Sequence, residues 1–495
     1  MRRFIAISLL LLISWNVSAK KISPKREMRA VWIATVDNID WPSKSGLSVA
    51  QQKVELIAQL DQLKKNGMNT IVFQIRPAAD AFYASPYEPW SQWLSGKQGV
   101  APDPFYDPLQ FAIKACHDRA MELHAWMNPY RAVFKYKTTK TDSSHITNVH
   151  PEWFLTYGKH KYFNPGLKQT RDYVSKIVAD VVRRYNVDAI HFDDYFYPYK
   201  IKGEAFPDSL AFAKNGGDFY PDRIEDWRRE NVNKVIHQIQ DSIKSIKPWL
   251  PFGISPFGVW RNKDKDPNGS RTKAGQTNYD DLYADVLLWL QKGWIDYVTP
   301  QIYWHIGKKV ADYRVIAKWW RKHSYGKPCY IGQGVYRLDS ASRVKAWRNS
   351  DQIIRQIKLN RRLKEINGSM FFCSKNFRQD RLSINEALTQ KVYAEPALHL
   401  VNLMFKGNIP DAPIVERVEN RLKWNKQKDA VYYVVYQVKR KSGLPQKIIC
   451  ITNRLEYNIS KKYMAHAFAV SAVNRGHQES SISKLVEFSV REDNK

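Results

Sequence analysis

Cysteine is scarce in this chain. There are four in 495 residues, at Cys116, Cys329, Cys373 and Cys450. None are closely spaced, so neither a disulfide-dense scaffold nor a zinc module can be built from them. Four buried free thiols are expected, with Cys329 and Cys373 the one pair that could be neighbours. No HExxH or CxxC occurs and the histidines are scattered, so no metal site is expected. No Gly-rich loop follows the first apolar run, which counts against a dinucleotide-binding sheet, and no cofactor is expected. Acidic charge is also short: 48 Asp+Glu face 78 Lys+Arg, a formal net charge of +30. Long apolar runs are absent beyond the N-terminus, so no membrane helix is expected after it. With 44% hydrophobic and 25% charged residues, wholesale disorder is excluded.

What the chain has in abundance is aromatic surface, with 17 Trp and 27 Tyr. On a basic chain this points to an anionic or sugar-like partner. The first 19 residues read as an export signal. Arg2 and Arg3 precede an apolar run from Phe4 to Trp15, then Val17-Ser18-Ala19 offers a small-residue cleavage site. A periplasmic or secreted chain beginning near Lys20 is expected; an uncleaved anchor is the alternative.

From residue 28 onward, apolar strand runs alternate with helical periodicity. Eight such pairs fit a (β/α)8 barrel over 26–395, with an open doubly wound sheet as the alternative. The expected strands include NTIVFQIR, LHAWMN, VDAIHFDD, FGISPF and Ile295 to Gln301, and Tyr279 to Gln291 reads as one helix. Long loops follow strands at 77–107, 129–169, 195–222 and 258–278, on the face where barrels place active sites. After a linker at 396–410, residues 411–495 alternate in short β runs without a helix. DAPIV, Trp424, the Tyr-rich run and AFAVSAVNRGHQES resemble a fibronectin type III module.

The fourth strand ends in VDAIHFDDYFYP, which delivers Asp193 and Asp194 to the barrel mouth. Strand alternation puts His191 and Asp193 on one face and leaves Asp194 at the rim. Paired carboxyls in such a place suit glycoside hydrolysis, which needs one protonated and one ionised group. The alternative is that adjacent aspartates cap a turn. The ends of the fifth and sixth strands, ISPFG and TPQIYW, carry no acid. The second carboxyl is therefore open between Asp80, beside Arg76 in a possible salt bridge, and Asp37 or Asp40. Asp280 and Asp281 are expected to cap a helix. Catalytic candidates are Asp193, Asp194 and Asp80. Substrate-binding candidates are Gln74, Arg76, Trp90, Trp126, Asn128, His191, Tyr195, Trp260, Gln301, Tyr303, Trp304 and Gln333, with His124 among the strand-end polar groups.

EMRAVWIATVDNIDWP, FQIRPAADAFYASPYEPWSQWLSGKQG, HAWMNPYR, VDAIHFDDYFYPY, ISPFGVWRN and IGQGVYR resemble, in order and spacing, the glycosyl-hydrolase-like 10 family of bacterial cell-wall glycosidases. The resemblance implies a TIM-type barrel that cleaves peptidoglycan glycan strands stripped of peptide. A more distant similarity to the α-amylase clan implies a nucleophilic role for Asp193. There Asp188-Ala-Ile-His191-Phe-Asp193 matches a D-x-x-R-x-D pattern with His in place of Arg. That clan's acid Glu on the fifth strand has no counterpart in ISPFG. Lipoprotein members carry a lipid-bearing Cys, which this chain lacks. A polysaccharide is the expected partner. The rival readings are a non-catalytic glycan-binding protein and an extracytoplasmic nucleic-acid binder, the latter suggested by charge alone and without a recognisable motif.

Overall fold

The structure is a computed structural model that describes residues 24–217, 219, 221–460 and 466–488. The expected export signal lies outside the described residues. Eight parallel strands close into a barrel, which excludes the open doubly wound sheet. They are β1 (Met28–Ile33), β2 (Thr70–Arg76), β3 (Glu122–Met127), β4 (Ala189–Phe192), β5 (Phe252–Ile254), β6 (Tyr297–Val298), β7 (Cys329–Gly334) and β8 (Ile366–Phe372). Closure is made by β1, which pairs with β2 through Ala30↔Thr70 and with β8 through Met28↔Gly368. At that seam a Cβ on Gly368 would lie 2.1 Å from the Met28 carbonyl, so only glycine fits.

The helices form where sequence supplies both a cap and an apolar stripe. In α1 (Val49–Lys65), Ser48 and Gln51 form a capping box, and Leu56, Leu60 and Leu63 face the strands. In α2 (Pro108–His117), Asp107 caps and Pro108 opens the first turn. The other barrel helices are α3 (Lys168–Arg184), α4 (Ile224–Ile246), α5 (Val286–Lys292), α6 (Tyr313–Lys322), α7 (Asp351–Asn360) and α8 (Ile384–Lys391). No helix among the described residues is long and apolar enough to cross a membrane.

Three elements depart from the sequence expectation. Strands β5 and β6 are only three and two residues long. Pro251, Pro256 and Pro300 bracket them, and proline has no N–H to give a ladder. The run from Tyr279 to Gln291 is two helices, Asn278–Asp281 and α5. The chain breaks at Tyr283 (φ 51°), whose hydroxyl accepts a 2.9 Å bond from Arg228. The cap of Asn278–Asp281 is Thr277, so Asp280 and Asp281 are first-turn residues, not caps. Asp280 pairs with Arg261 at 2.7 Å, and Asp281 accepts from the Thr277 amide at 2.6 Å. Thirdly, the 129–169 loop holds a three-stranded sheet of Arg131–Val133, Phe154–Tyr157 and His160–Phe163.

Past the barrel, Val415–Val418, Arg421–Trp424 and Glu456–Asn458 form one sheet. Ala430–Val438, Pro445–Thr452, Ala467–Asn474 and Val486–Glu487 form another. One face of the latter, with Tyr433, Val435, Phe468 and Val470, clusters with Leu422 and Trp424 of the three-stranded sheet. The opposite face, with Tyr432, Val434, Tyr436 and Val473, packs on Leu398 and Ala120 at the N-terminal mouth of the barrel. The all-β unit is therefore docked on the end opposite the long loops. Polar contacts fasten the junction: Lys25 to Glu479 at 2.7 Å, Arg475 to the Val187 carbonyl at 3.0 Å, and His477 to Glu122 at 2.5 Å. All four cysteines are free; Cys116, Cys329 and Cys373 are buried and Cys450 is half-buried.

Candidate active site

At the C-terminal mouth lies a cleft of ≈ 480 Å³. Its base is Trp32 of β1, Gln74 of β2, Trp126 of β3 and Phe372 of β8. Its walls are Tyr195 and Tyr199 after β4, Gln301, Tyr303 and Trp304 after β6, and Tyr336 and Arg337 after β7. Asp193 and Asp194 are its lining carboxyls among the described residues.

Both aspartates are almost fully buried, at 3% and 2% exposed, so each needs a reason to be there. Asp193 has a cradle. Trp126 Nε1 donates to its Oδ2 at 3.0 Å, Asn128 Nδ2 donates at 3.1 Å, and the Tyr195 amide donates to Oδ1 at 3.4 Å. Asn128 is itself oriented, because its Oδ1 accepts from the Arg131 amide at 2.8 Å. Burial outweighs the Arg131 charge and these donors, so the Asp193 pKa is raised above the ordinary carboxylate value. Asp194 accepts from the Tyr199 hydroxyl at Oδ2, and the Gln301 side chain also favours its ionised form. Burial, then the neighbouring Asp193 charge, pushes its pKa to about 7. The two carboxyls thus sit in different environments. One is held by three donors and the Arg131 charge; the other has a pKa near neutrality.

Beneath them is a fixed polar floor. His191 is fully buried, with Nδ1 2.9 Å from the Tyr297 hydroxyl and Nε2 3.0 Å from Ser255 Oγ. Burial drives its pKa well down, leaving a neutral imidazole. The Tyr297 ring occupies the space a side chain on Gly253 would fill, since a Cβ there would meet it at 2.0 Å. Gln74 points its Oε1 at the Thr35 and Val36 amides, 3.0 Å each, and its buried Nε2 has no partner. Gln301 Nε2 donates to the Ser255 carbonyl at 2.8 Å.

Several expected site residues stand elsewhere. Arg76 does not serve the cleft: it clamps Glu88 at 2.6 Å and the Asn128 carbonyl at 2.6 Å. Its ion pair is with Glu88, twelve residues on, and not with Asp80. Asp80 is buried in the loop after β2, accepts from the Ala78 amide at 3.0 Å, and is not among the cleft-lining residues. Burial pushes its pKa to about 7. Asp37 is exposed on the rim and paired with Lys135 at 2.9 Å. Asp40 is buried and accepts from the Ala34 and Lys375 amides, 2.7 Å each. Gln333 is buried and donates to Gln356 at 3.0 Å. Trp260 stacks on Trp319 at 5.9 Å, and half-buried Trp90 meets the edge of Phe105 at 6.2 Å, both away from the cleft. Asn128 and His191 act one layer down.

The cleft also has residues that the sequence reading did not single out: Trp32, Arg131, Gln276, Tyr336, Arg337 and Phe372. Arg131 follows directly on the strand-end Trp126 and Asn128 in HAWMNPYR, and that adjacency was the available signal. Its guanidinium lies 5.3 Å from the Tyr195 ring and its Nε donates to the Pro77 carbonyl at 3.0 Å. Neither Arg131 nor Arg337 forms an ion pair among the described residues.

A second ionisable cluster lies at the opposite mouth. Glu122, His399 and His477 bring ligand-type atoms within 4.8 Å of one another. Each is already occupied. Glu122 takes His477 Nε2 at 2.5 Å and His124 Nε2 at 3.1 Å, and His399 Nε2 lies 3.1 Å from the Asn69 carbonyl. Tyr432 and Tyr297 hydroxyls hold the outer nitrogens of His477 and His124 at 2.9 Å. Paired with one another, these groups form a junction.

A closed parallel barrel with buried carboxyls at the C-terminal end of β4, ringed by aromatic side chains, defines the TIM-barrel glycoside hydrolases as a class. The glycosyl hydrolase-like 10 family model matches residues 27–349, and the chain belongs to that family. Glycosyl hydrolase YngK of Bacillus subtilis strain 168 is 43% identical over 480 residues, covering 93% of each chain. Glycosyl hydrolase DigH of Escherichia coli K12 is 38% identical over 369 residues, covering 70% of this chain and 82% of that one. Among solved structures, the PgaB glycoside hydrolase domain of Bordetella bronchiseptica overlaps with a TM-score of 0.48 at 12% identity, covering 74% of this chain and 99% of that one.

Proposed function

We propose that this enzyme is an exported glycosidase, periplasmic or secreted, that cleaves peptidoglycan glycan strands from which the peptides have been removed. The carrying observation is the Asp193–Asp194 pair, two buried carboxyls in one aromatic cleft with different hydrogen-bonding surroundings. Asp194, neutral near pH 7 or below, is suited to protonate the leaving oxygen. Asp193, whose ionised form Trp126, Asn128 and the Arg131 charge favour against the cost of burial, is suited to face a developing oxocarbenium charge. The aromatic side chains that line the cleft suit sugar rings. The lactyl carboxylate of muramic acid makes the polymer anionic, which fits the +30 chain and the unpaired Arg131 and Arg337 guanidiniums.

The test is digestion of purified peptidoglycan, intact and peptide-stripped, with mass analysis of the products. Strand shortening confined to the stripped polymer is expected. Tight binding without new reducing ends would make the protein a glycan-binding module. Export is tested separately: N-terminal sequencing of the exported protein should begin at or near Lys20, and a chain still starting at Met1 would overturn it.

A further inference from the structure

The following rests on the glycosidase reading and deepens it. Hydrolysis by a protein nucleophile or an activated water needs a carboxyl on each flank of the scissile bond, about 5–5.5 Å or about 6.5–9.5 Å apart. In this cleft both lining carboxyls are consecutive residues at the end of one strand. The strand ends across the mouth, from β1, β8 and β7, present Ala34, Phe372, Tyr336 and Arg337, with no acid. The acids of the nearby loop are already used: Asp37 by Lys135 at the rim, and Asp40 by two backbone amides below it.

We infer that the nucleophile is supplied by the substrate, as the carbonyl oxygen of a 2-acetamido group on the sugar whose anomeric bond is cut. Asp194 gives its proton to the leaving oxygen as the C1–O bond breaks. The acetamido oxygen forms a bond to C1, producing an oxazolinium ring. The Asp193 carboxylate accepts the ring N–H and offsets its positive charge. Water then attacks C1, Asp194 takes a proton from that water, and the ring opens to restore the acetamido group with net retention at C1. Two neighbouring carboxyls on one side are what this route requires, one acid and one partner for the amide.

The cleft has matching features for the group itself. Trp32, Trp126 and Phe372 give an apolar wall for the methyl, with Trp32 and Phe372 edge-to-face at 6.2 Å. Tyr303 lines the same space, and burial holds its hydroxyl protonated as a donor for the carbonyl oxygen. Both sugars of a peptidoglycan strand carry the 2-acetamido group, so the inference limits the substrate to N-acetylated strands without choosing the bond.

The experiment compares peptide-stripped strands that are N-acetylated, N-fluoroacetylated to increasing degree, or de-N-acetylated, and follows the anomeric configuration of the first product by NMR. Retention is expected, with kcat falling stepwise as fluorine weakens the carbonyl nucleophile, and a loss of about 10³-fold or more without the acetyl group. A thiazoline analogue of the cyclised sugar should compete with substrate. Inversion, equal turnover of de-N-acetylated strands, or trapping of a glycosyl ester on Asp193 would overturn the inference while leaving a glycosidase. Failure to cut any N-acetylated strand would remove the proposed peptidoglycan substrate, and the inference with it.

Discussion

At the N-terminal mouth of the barrel, Glu122 sits among His124, His399 and His477, and every imidazole has a hydrogen-bond partner there. At the C-terminal mouth, Asp193 and Asp194 are deeply buried too, yet a neighbouring Gln74 amide N–H has no partner among the described residues. The residue types are alike and the treatment is opposite. Burial of a polar group costs free energy unless its bonds are completed within the protein. The lower mouth completes them, and the result is a joint between barrel and all-β unit. The upper mouth leaves capacity over, and that unused capacity is available to a substrate. The comparison teaches that burial and ionisability alone do not identify a site.

The comparison can be broken most severely at Asp193. Asp193→Asn keeps the shape and most of the hydrogen bonds, so melting temperature should hold while kcat falls by about 10³-fold or more. Near-normal turnover in both Asp193→Asn and Asp194→Asn would take β4 out of the mechanism. The mirror experiment is Glu122→Gln at the lower mouth. Breaking a buried charge cluster costs up to about 3 kcal/mol, so thermal unfolding should shift down markedly while kcat on stripped glycan stays within about twofold of the parent. If Glu122→Gln abolished activity at unchanged stability, the assignment of the two mouths would be reversed.

The two mouths should also respond to pH from opposite sides. Asp194 acts as an acid while protonated, so kcat/KM should fall as pH rises through about 7. At the junction, Glu122 is held below its ordinary value, chiefly by His399 and His477, although burial opposes this. Its contribution to stability is present above the unfolded carboxylate range and lost as pH falls. Burial lowers His399 to about 4, so its contribution is likewise lost as pH drops from about 6.5 toward 4. Melting temperature should therefore decline on acidification, and calorimetry across pH 4–8 measures it. A smaller, sharper test is Tyr199→Phe. Removing a donor to the ionised form of Asp194 raises its pKa, so the alkaline limb of kcat/KM should move upward. A limb that did not move would separate Tyr199 from the acid.

Much of this arrangement was legible from the residues. The alternation of apolar runs and helical stripes exposes a barrel, because strands buried on both faces read as continuous apolar runs. Asp193 and Asp194 stood out because carboxyls break such a run at its C-terminal end. Other features were hidden by chain folding that spacing does not encode. Arg76 has Asp80 four residues away, yet the loop returns Glu88 to it and the pair closes there. Trp32 lies in an unbroken apolar strand, where nothing marks which alternate residue faces the mouth. The prolines at 251, 256 and 300 were visible, and their effect is to shorten β5 and β6 to a few residues.

The docking of the all-β unit against the barrel base has a geometric consequence. Its four-stranded sheet spends one face on its own core and the other on Leu398 and Ala120. The catalytic mouth opens at the far end of the barrel axis. A glycan strand lying in the cleft runs across the end of the molecule that the appended unit does not reach, so this unit adds no length to the sugar groove. It is a pedestal: a contact made through its outer, three-stranded sheet would leave the cleft at the opposite end of the barrel axis open.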